Sequence, residues 1–166
     1  MPRLCARVIQ SGISREFVRR ALPAWWEDSI AETPAGLQQA CLYFAQAFNL
    51  DPRSIYSGNA EVSFRTAERK FKLSRNMKEV DVAPSANYAS AMARLALAAS
   101  KTSQSPISPD PLELRRTVLT AGGIVNLENL LAWCGSVGIP VMHIADMPGK
   151  KMLAVAIRSN DNFAVV

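Results

Sequence analysis

The alternation of apolar and polar positions predicts a series of amphipathic helices in the first hundred residues. The clearest is PAGLQQACLYFAQAFNL, because Thr33 can cap its start and Pro34 suits the first helical position. Its larger apolar side chains recur three and four residues apart, which predicts one buried helix face. These residues are Leu37, Cys41, Phe44, Ala45 and Phe48.

Shorter helical patterns lie on both sides of that segment. Ser14 can cap a helix over SREFVRRAL, and Pro23 suits the first turn of a helix over PAWWEDSIA. Pro52 begins a short helical turn. Pro84 opens an alanine-rich segment, SANYASAMARLALAAS, whose composition favours helix.

The pattern after residue 110 predicts two further helices. The first, over PLELRRTVLTAG, is expected to end at Gly122-Gly123. The second, over 126–134, is expected to bury one apolar face, and Pro140 prevents its continuation. The residues of that face are Leu127, Leu130, Leu131 and Cys134.

Short apolar segments near the C-terminal end predict a small antiparallel sheet. Val141, Met142 and Ile144 begin the first predicted strand, and residues 151–158 form the second. Residues 160–162, with the sequence NDN, predict a hairpin turn into the final segment FAVV.

These elements together predict an α+β fold in two regions. Residues 1–100 are expected to form a helical region, and residues 111–166 a helix-plus-sheet region. Residues 101–110 carry Pro, Ser and Thr without apolar periodicity, which predicts a linker between the two.

A run of cations within residues 60–82 is the strongest candidate for a binding surface. The segment is expected to be a basic helix or an irregular basic arm. Clustered cations release counterions from a phosphate backbone, so the run predicts contact with double-stranded DNA. The alternative is a solvated face whose interleaved Phe64 and Phe71 reach the core. The candidate nucleic-acid-binding residues are Arg65, Arg69, Lys70, Lys72, Arg75 and Lys78.

Trp25 and Trp26 are candidate partner-binding residues. Adjacent side chains on a helix cannot both face the same core directly. One of the two indoles is therefore expected at a contact with another helix or with another chain. Packing within the core is the alternative for both.

Composition and charge permit an acidic partner without requiring one. The 166 residues carry a formal net charge of +5, and 49% are hydrophobic. No apolar run reaches the length of a membrane span, and the first residues lack a secretory signal pattern, so a cytoplasmic protein without membrane contact is expected. Cys5, Cys41 and Cys134 lie far apart, which favours free thiols in a reducing compartment.

The residue types argue against the common catalytic constellations. His143 is the single histidine, so a zinc site with two imidazoles cannot be built. Cys134 and His143 could act as a nucleophile and its base, but a thiol on an apolar helix face is expected to lie in the core. We therefore expect no catalytic residue, no metal ligand and no cofactor.

The segments LLAWCGSVGIPVMHI and MPGKKMLAVAIRSNDNFAVV follow each other in an order that resembles the opening of the zinc-peptidase domain of the ImmA/IrrE family. In that family a helix, a Gly-Ile-Pro-Val-like turn and a small sheet precede a His-Glu-x-x-His helix. This chain has no such helix, so no zinc ligand is carried over. The resemblance implies a degenerate, truncated metallopeptidase scaffold from a family that acts on repressors of mobile-element or stress genes.

The segment TPAGLQQACLYFAQAFNLDPRSIY is similar to the closing helices of a Cro/repressor-type helix-turn-helix. This second resemblance implies a loosely helix-turn-helix-like region within residues 1–100.

Three functions are compatible with these observations. The first is a non-catalytic regulatory protein of ImmA/IrrE lineage that binds DNA, a repressor-like protein or both. The second is a fragment or split part of a zinc metallopeptidase. The third is a phage-type inhibitor or antitoxin-like interaction module, which could form a homodimer through an exposed edge strand of its sheet.

Overall fold

A computed structural model describes residues 1–57, 61–100 and 103–166. It confirms the predicted α+β fold, with α-helices and a three-stranded antiparallel sheet in the order β1-β2-β3. In chain order the elements are α1 (Pro2–Gln10), α2 (Arg15–Arg20), a 3-10 helix (Asp28–Glu32), α3 (Pro34–Phe48), α4 (Pro52–Tyr56), β1 (Glu68–Lys72), a second 3-10 helix (Glu79–Val82), α5 (Ala83–Ala99), α6 (Pro111–Gly122), α7 (Leu127–Ser136), β2 (Ala154–Ser159) and β3 (Asn162–Val165).

Helix α3 is the centre of the first hydrophobic core. The Thr33 hydroxyl oxygen accepts a hydrogen bond from the Gly36 amide at 3.0 Å, which confirms the predicted cap. Phe44 and Phe48 are fully buried and pack with side chains of α1 and α2. Asn49 then ends the helix in the left-handed conformation, with φ 55°.

Helix α5 joins that core to the sheet. Its small residues Ala89 and Ala93 are buried against Val155, Ile157 and Ala164 on one face of the sheet. Small side chains on the helix allow it to lie close to the larger strand residues. The opposite face of the sheet, called the outer face below, points away from α5.

Helices α6 and α7 are joined by residues 123–126 and contact mainly each other. The Asp110 carboxylate caps α6 by accepting the Leu112 amide at 2.9 Å, and α6 ends at Gly123 with φ 74°. The half-buried side chains of α7 recur at helical spacing. They include Leu130, Trp133 and Cys134.

The predicted inner face of α7 was therefore partly wrong. Leu130 and Cys134 do lie on the half-buried side, but Leu127 and Leu131 are 72% and 42% exposed. Apolar residues surround much of this short helix, so periodicity alone did not decide which side faces inward.

The helix predicted to begin at Pro23 is also absent. The described residues 23–27 form turns and extended chain, and only Asp28–Glu32 are helical, in a 3-10 conformation. The strand predicted from Val141 is reduced to one isolated bridge, in which Val141 pairs with Val165 in parallel.

The basic segment contains a strand where a helix or an irregular arm was expected. Residues 68–72 form β1, which pairs antiparallel with β2, so that Arg69 lies opposite Ile157. The region 1–100 is therefore not entirely helical, and it shares its sheet with the region 111–166. Of the predicted linker, residues 103–110 carry no helix or strand, whereas 101 and 102 lie outside the described residues.

Within the part of the chain that the structure describes, no helix combines the length and the apolar character needed to cross a membrane.

Candidate functional site

The strand β1 separates the predicted nucleic-acid-binding residues onto two faces. Strand alternation places Lys70 and Lys72 on the outer face, where both are exposed. Arg69 and Phe71 point inward, and the Arg69 guanidinium lies 5.8 Å from the centre of the Phe71 ring. Burial lowers the pKa of Arg69, and its Nη1 atom has no hydrogen-bond partner among the described residues. Arg69 is therefore part of the packing and not of an exposed basic surface.

The other three predicted cations lie outside this strand. Arg65 precedes β1 and lines a groove on the helical side of the molecule. Arg75 lies in a turn, and Lys78 precedes the second 3-10 helix, where its amide donates to the Asp81 carboxylate at 3.0 Å. The six residues thus do not form one cluster, because strand alternation and chain turns direct them apart.

The outer face carries two residues that the sequence did not single out. Arg158 lies opposite Glu68 on the neighbouring strand, and their side chains pair at 3.5 Å. Phe163 lies next to Arg158 on β3, is 37% exposed, and has its ring centre 5.8 Å from the Arg158 guanidinium. Lys70 and Lys72 make no ion pair with any described residue. The outer face therefore combines two unpaired cations, an ion pair and an exposed aromatic ring.

A buried asparagine organises a second group of cations. Asn49 is fully buried, and its side-chain amide donates to the Arg65 carbonyl at 3.2 Å and to the Asn87 side-chain oxygen at 3.0 Å. Its own side-chain oxygen accepts a hydrogen bond from Arg94 at 2.5 Å. The main chain adds one more bond, from the Arg65 amide to the Asn49 carbonyl at 2.8 Å. Asn49 thus holds Arg65 and Arg94 on the same side of the molecule.

Arg65 and Arg94 have no carboxylate partner among the described residues. Burial lowers the pKa of Arg94, and the positive charge of Arg65 lowers it further. Guanidinium groups without a counterion are able to form charge-assisted hydrogen bonds with carboxylates and phosphates. Arg94 was not predicted as a site residue, because it lies in an alanine-rich helix without neighbouring charges.

Trp25 and Trp26 have different environments. Trp25 is 59% exposed, whereas Trp26 is half-buried and packs edge-to-face on Tyr43 with ring centres 5.8 Å apart. The Trp26 ring nitrogen is buried without a hydrogen-bond partner among the described residues. Of the two predicted partner-binding residues, Trp25 alone offers most of its surface to another molecule.

The geometry around Cys134 does not support a nucleophile. Burial raises the pKa of the Cys134 thiol, so it is less ionised than a free cysteine at neutral pH. No described hydrogen bond joins it to His143, whose side chain is exposed. Among the residues described, no group of three His, Cys, Asp or Glu side chains is arranged to hold a metal ion.

The chain matches no family model, and no curated protein or solved structure is significantly similar to it.

Proposed function

We propose that this protein acts by binding and not by catalysis, and that it contacts nucleic acid through the outer face of its sheet. The observation that supports this proposal is the exposure of Lys70 and Lys72 on one face, beside the exposed ring of Phe163. Neither lysine has an ion-pair partner among the described residues. The proposal includes a cytoplasmic location and a regulatory role in the ImmA/IrrE lineage, for which the residue order from Gly122 to Val166 is the support.

The outer face has the chemistry that a nucleic acid backbone requires. Lys70 and Lys72 are two residues apart, so their Cα atoms are separated by about 6.7 Å along the strand. Ala156 lies opposite Lys70 on β2, and its small side chain covers little of the outer face between Lys70 and β3. Cations of this kind bind phosphates in a salt-dependent manner, and an exposed aromatic ring can stack on an unpaired base.

The test measures the salt dependence of binding. Fluorescence anisotropy measures the binding of a labelled 20-nucleotide single strand and of the corresponding duplex. The native protein is compared with the variant Lys70→Ala/Lys72→Ala. Loss of two phosphate contacts should reduce the slope of log K against log salt by about 1.4 for the single strand or about 1.8 for the duplex.

The matched control is Arg115→Ala/Arg116→Ala, which removes two exposed cations from α6. This control lowers the net charge by the same amount as Lys70→Ala/Lys72→Ala. It should leave the slope of log K against log salt as it is in the native protein. Equal losses in the two variants would show that only the overall charge matters. Absence of binding at low salt would exclude the nucleic-acid proposal.

A second candidate function, a protein contact, is favoured by the exposed side of α7. Leu127 and Leu131 lie one helical turn apart and are both exposed, and Ile124 beside them is 59% exposed. An apolar stripe of this kind is typical of a protein interface. A second copy of the chain fits it well, because two antiparallel α7 helices would cover the same stripe on both partners.

This contact would replace the edge-strand dimer expected from the sequence. The edge of β3 that faces away from β2 is already hydrogen-bonded, because the Gln104 side chain makes hydrogen bonds of 2.6 and 2.7 Å to the Phe163 main chain. The Met142 amide also donates to the Val165 carbonyl at 2.9 Å. The other edge, β1, carries lysines, which oppose strand addition.

Light scattering across a concentration series tests the α7 contact. The native protein should self-associate, and Leu127→Asp/Leu131→Asp should remain monomeric, because charges would be buried at the interface. Leu153→Asp, at a position 62% exposed and away from α7, is the control and should behave like the native protein. A native protein that is monomeric at every concentration would exclude the dimer.

A further inference from the structure

An open groove with a volume of about 1280 Å³ runs between helices α3 and α5 and the segment 142–146. Typical ligand pockets have volumes of about 300–1,000 Å³, so the groove can hold an organic molecule of ordinary ligand size. Its lining is largely aliphatic, and the exposed side chains of Leu42 and Leu95 lie at its surface. Met92 and Met142 add flexible thioether chains, which adapt to ligands of different shape.

The charges that line the groove are not balanced. Arg20 is paired with Glu16 and with Asp146, the latter at 3.7 Å. Arg65 and Arg94 also line the groove and have no carboxylate partner among the described residues. The lining therefore presents two uncompensated positive charges beside an apolar surface.

We propose that this groove binds an organic anion with an apolar body, whose carboxylate or phosphate group contacts Arg94 and Arg65. The apolar body would lie along Leu95, Met92 and Met142. No residue of the outer sheet face takes part, so the site is independent of the proposed nucleic-acid surface.

The Arg94 guanidinium is already fixed before any ligand arrives. Its hydrogen bond to the buried Asn49 side chain restricts its rotamers, and Asn49 is itself held by Asn87 at 3.0 Å. A side chain that is ordered in the free protein loses little conformational entropy on binding. The fixed Arg94 guanidinium can therefore direct hydrogen bonds at a carboxylate or phosphate, and the exposed Arg65 side chain adds a second positive charge.

The single histidine provides a specific reporter of occupancy. His143 lines the groove, and because the chain has one histidine, its imidazole carbon-bound protons give one assignable set of NMR signals. Three probes with the same alkyl chain are titrated below their micellar concentrations: decanoate, decanol and decyltrimethylammonium. Decanoate should shift the His143 signals saturably, and the neutral and cationic probes should bind at least about tenfold more weakly. A parallel titration with decyl phosphate shows whether the groove binds a phosphate head group more tightly than the carboxylate of decanoate.

Two variants test the role of the arginines. Arg94→Gln and Arg65→Gln should each weaken decanoate binding about tenfold, the effect of losing one charge-assisted hydrogen bond. Arg65 is exposed, so its variant reports on binding even if Arg94→Gln is poorly folded. Arg116→Gln on α6 and Lys70→Ala/Lys72→Ala are the controls, and both should bind decanoate as the native protein does.

The proposal is overturned by any of three results. They are the absence of saturable decanoate binding, equal affinity for all three probes, and unchanged decanoate affinity in both arginine variants. The probes contain no nucleic acid. These results therefore do not test the proposal that the outer face binds nucleic acid, and either proposal can fail without the other.

Discussion

At the scale of single residues, Asn49 links three separate parts of the chain through its side chain. It ends α3 in the left-handed conformation, which asparagine tolerates better than most other residues. Its side chain then hydrogen-bonds three groups: the Arg65 carbonyl, the Asn87 side-chain oxygen and the Arg94 guanidinium. One residue thus ends a helix and contacts both arginines, through the Arg65 main chain and the Arg94 guanidinium.

Asn49→Ala should therefore lower the free energy of unfolding by about 3 kcal/mol, since it combines left-handed strain with the loss of buried hydrogen bonds. Asn160→Ala is the matched control, because Asn160 has nearly the same φ, 54°, but lies exposed in the β2–β3 turn. Asn160→Ala should lower the free energy of unfolding by only about 1 kcal/mol, because it adds left-handed strain and removes no buried hydrogen bond. Urea denaturation measures both values, and equal losses would mean that the Asn49 side-chain bonds contribute nothing.

At the scale of elements, two helical glycines show how packing decides the effect of the same substitution. A Cβ atom on Gly36 in α3 would lie 1.8 Å from the Ile30 carbonyl oxygen of the preceding 3-10 helix. A Cβ atom on Gly135 in α7 would meet no atom within 4 Å. The first glycine permits a close contact between elements, whereas the second only lowers helix propensity.

Gly36→Ala should destabilise the protein by about 2 kcal/mol, because α3 must move away from the 3-10 helix. Gly135→Ala should stabilise it by about 0.5–1 kcal/mol through better helix propensity. Thermal unfolding followed by circular dichroism compares the two variants. A stabilising Gly36→Ala would show that the two elements separate at little energetic cost.

The elements also differ in how well the sequence predicted them. Helix α3 was predicted closely because its cap, its first-turn proline and its apolar spacing all lie within one segment. Strand β1 was not predicted, because ERKFK contains one apolar residue and its partner strand begins more than eighty residues later. Helix α1 was not predicted either, although Leu4 and Val8, one turn apart, carry its buried face.

At the scale of the whole molecule, α5 and the sheet unite the two ends of the chain. Strand β1 comes from the first hundred residues and pairs with β2 from the last fifteen, while α5 packs against the inner face of β2 and β3. This arrangement leaves two surfaces with different chemistry. The outer sheet face is basic with an aromatic ring. The groove between α3 and α5 is largely apolar and contains two arginines that have no carboxylate partner among the described residues.

The candidate site was predictable only in part at this scale. Lys70 and Lys72 were chosen from the sequence and lie together on one face. Arg69 was chosen with them but lies inward, because alternation along a strand reverses the direction of each successive side chain. Arg94 could not be chosen, because its partners Asn49 and Arg65 are distant in sequence and approach it only through the packing of α3 and α5.

The sequence by itself determined the α+β class, the position of α3, the ends of several helices and the final hairpin, because caps, prolines, glycines and apolar spacing act over a few neighbouring residues. The tertiary structure alone decided which residues of the basic segment face solvent, which side of α7 is covered, and which cations lack partners. Those outcomes depend on contacts between segments far apart in the chain, and no local pattern of residues encodes them.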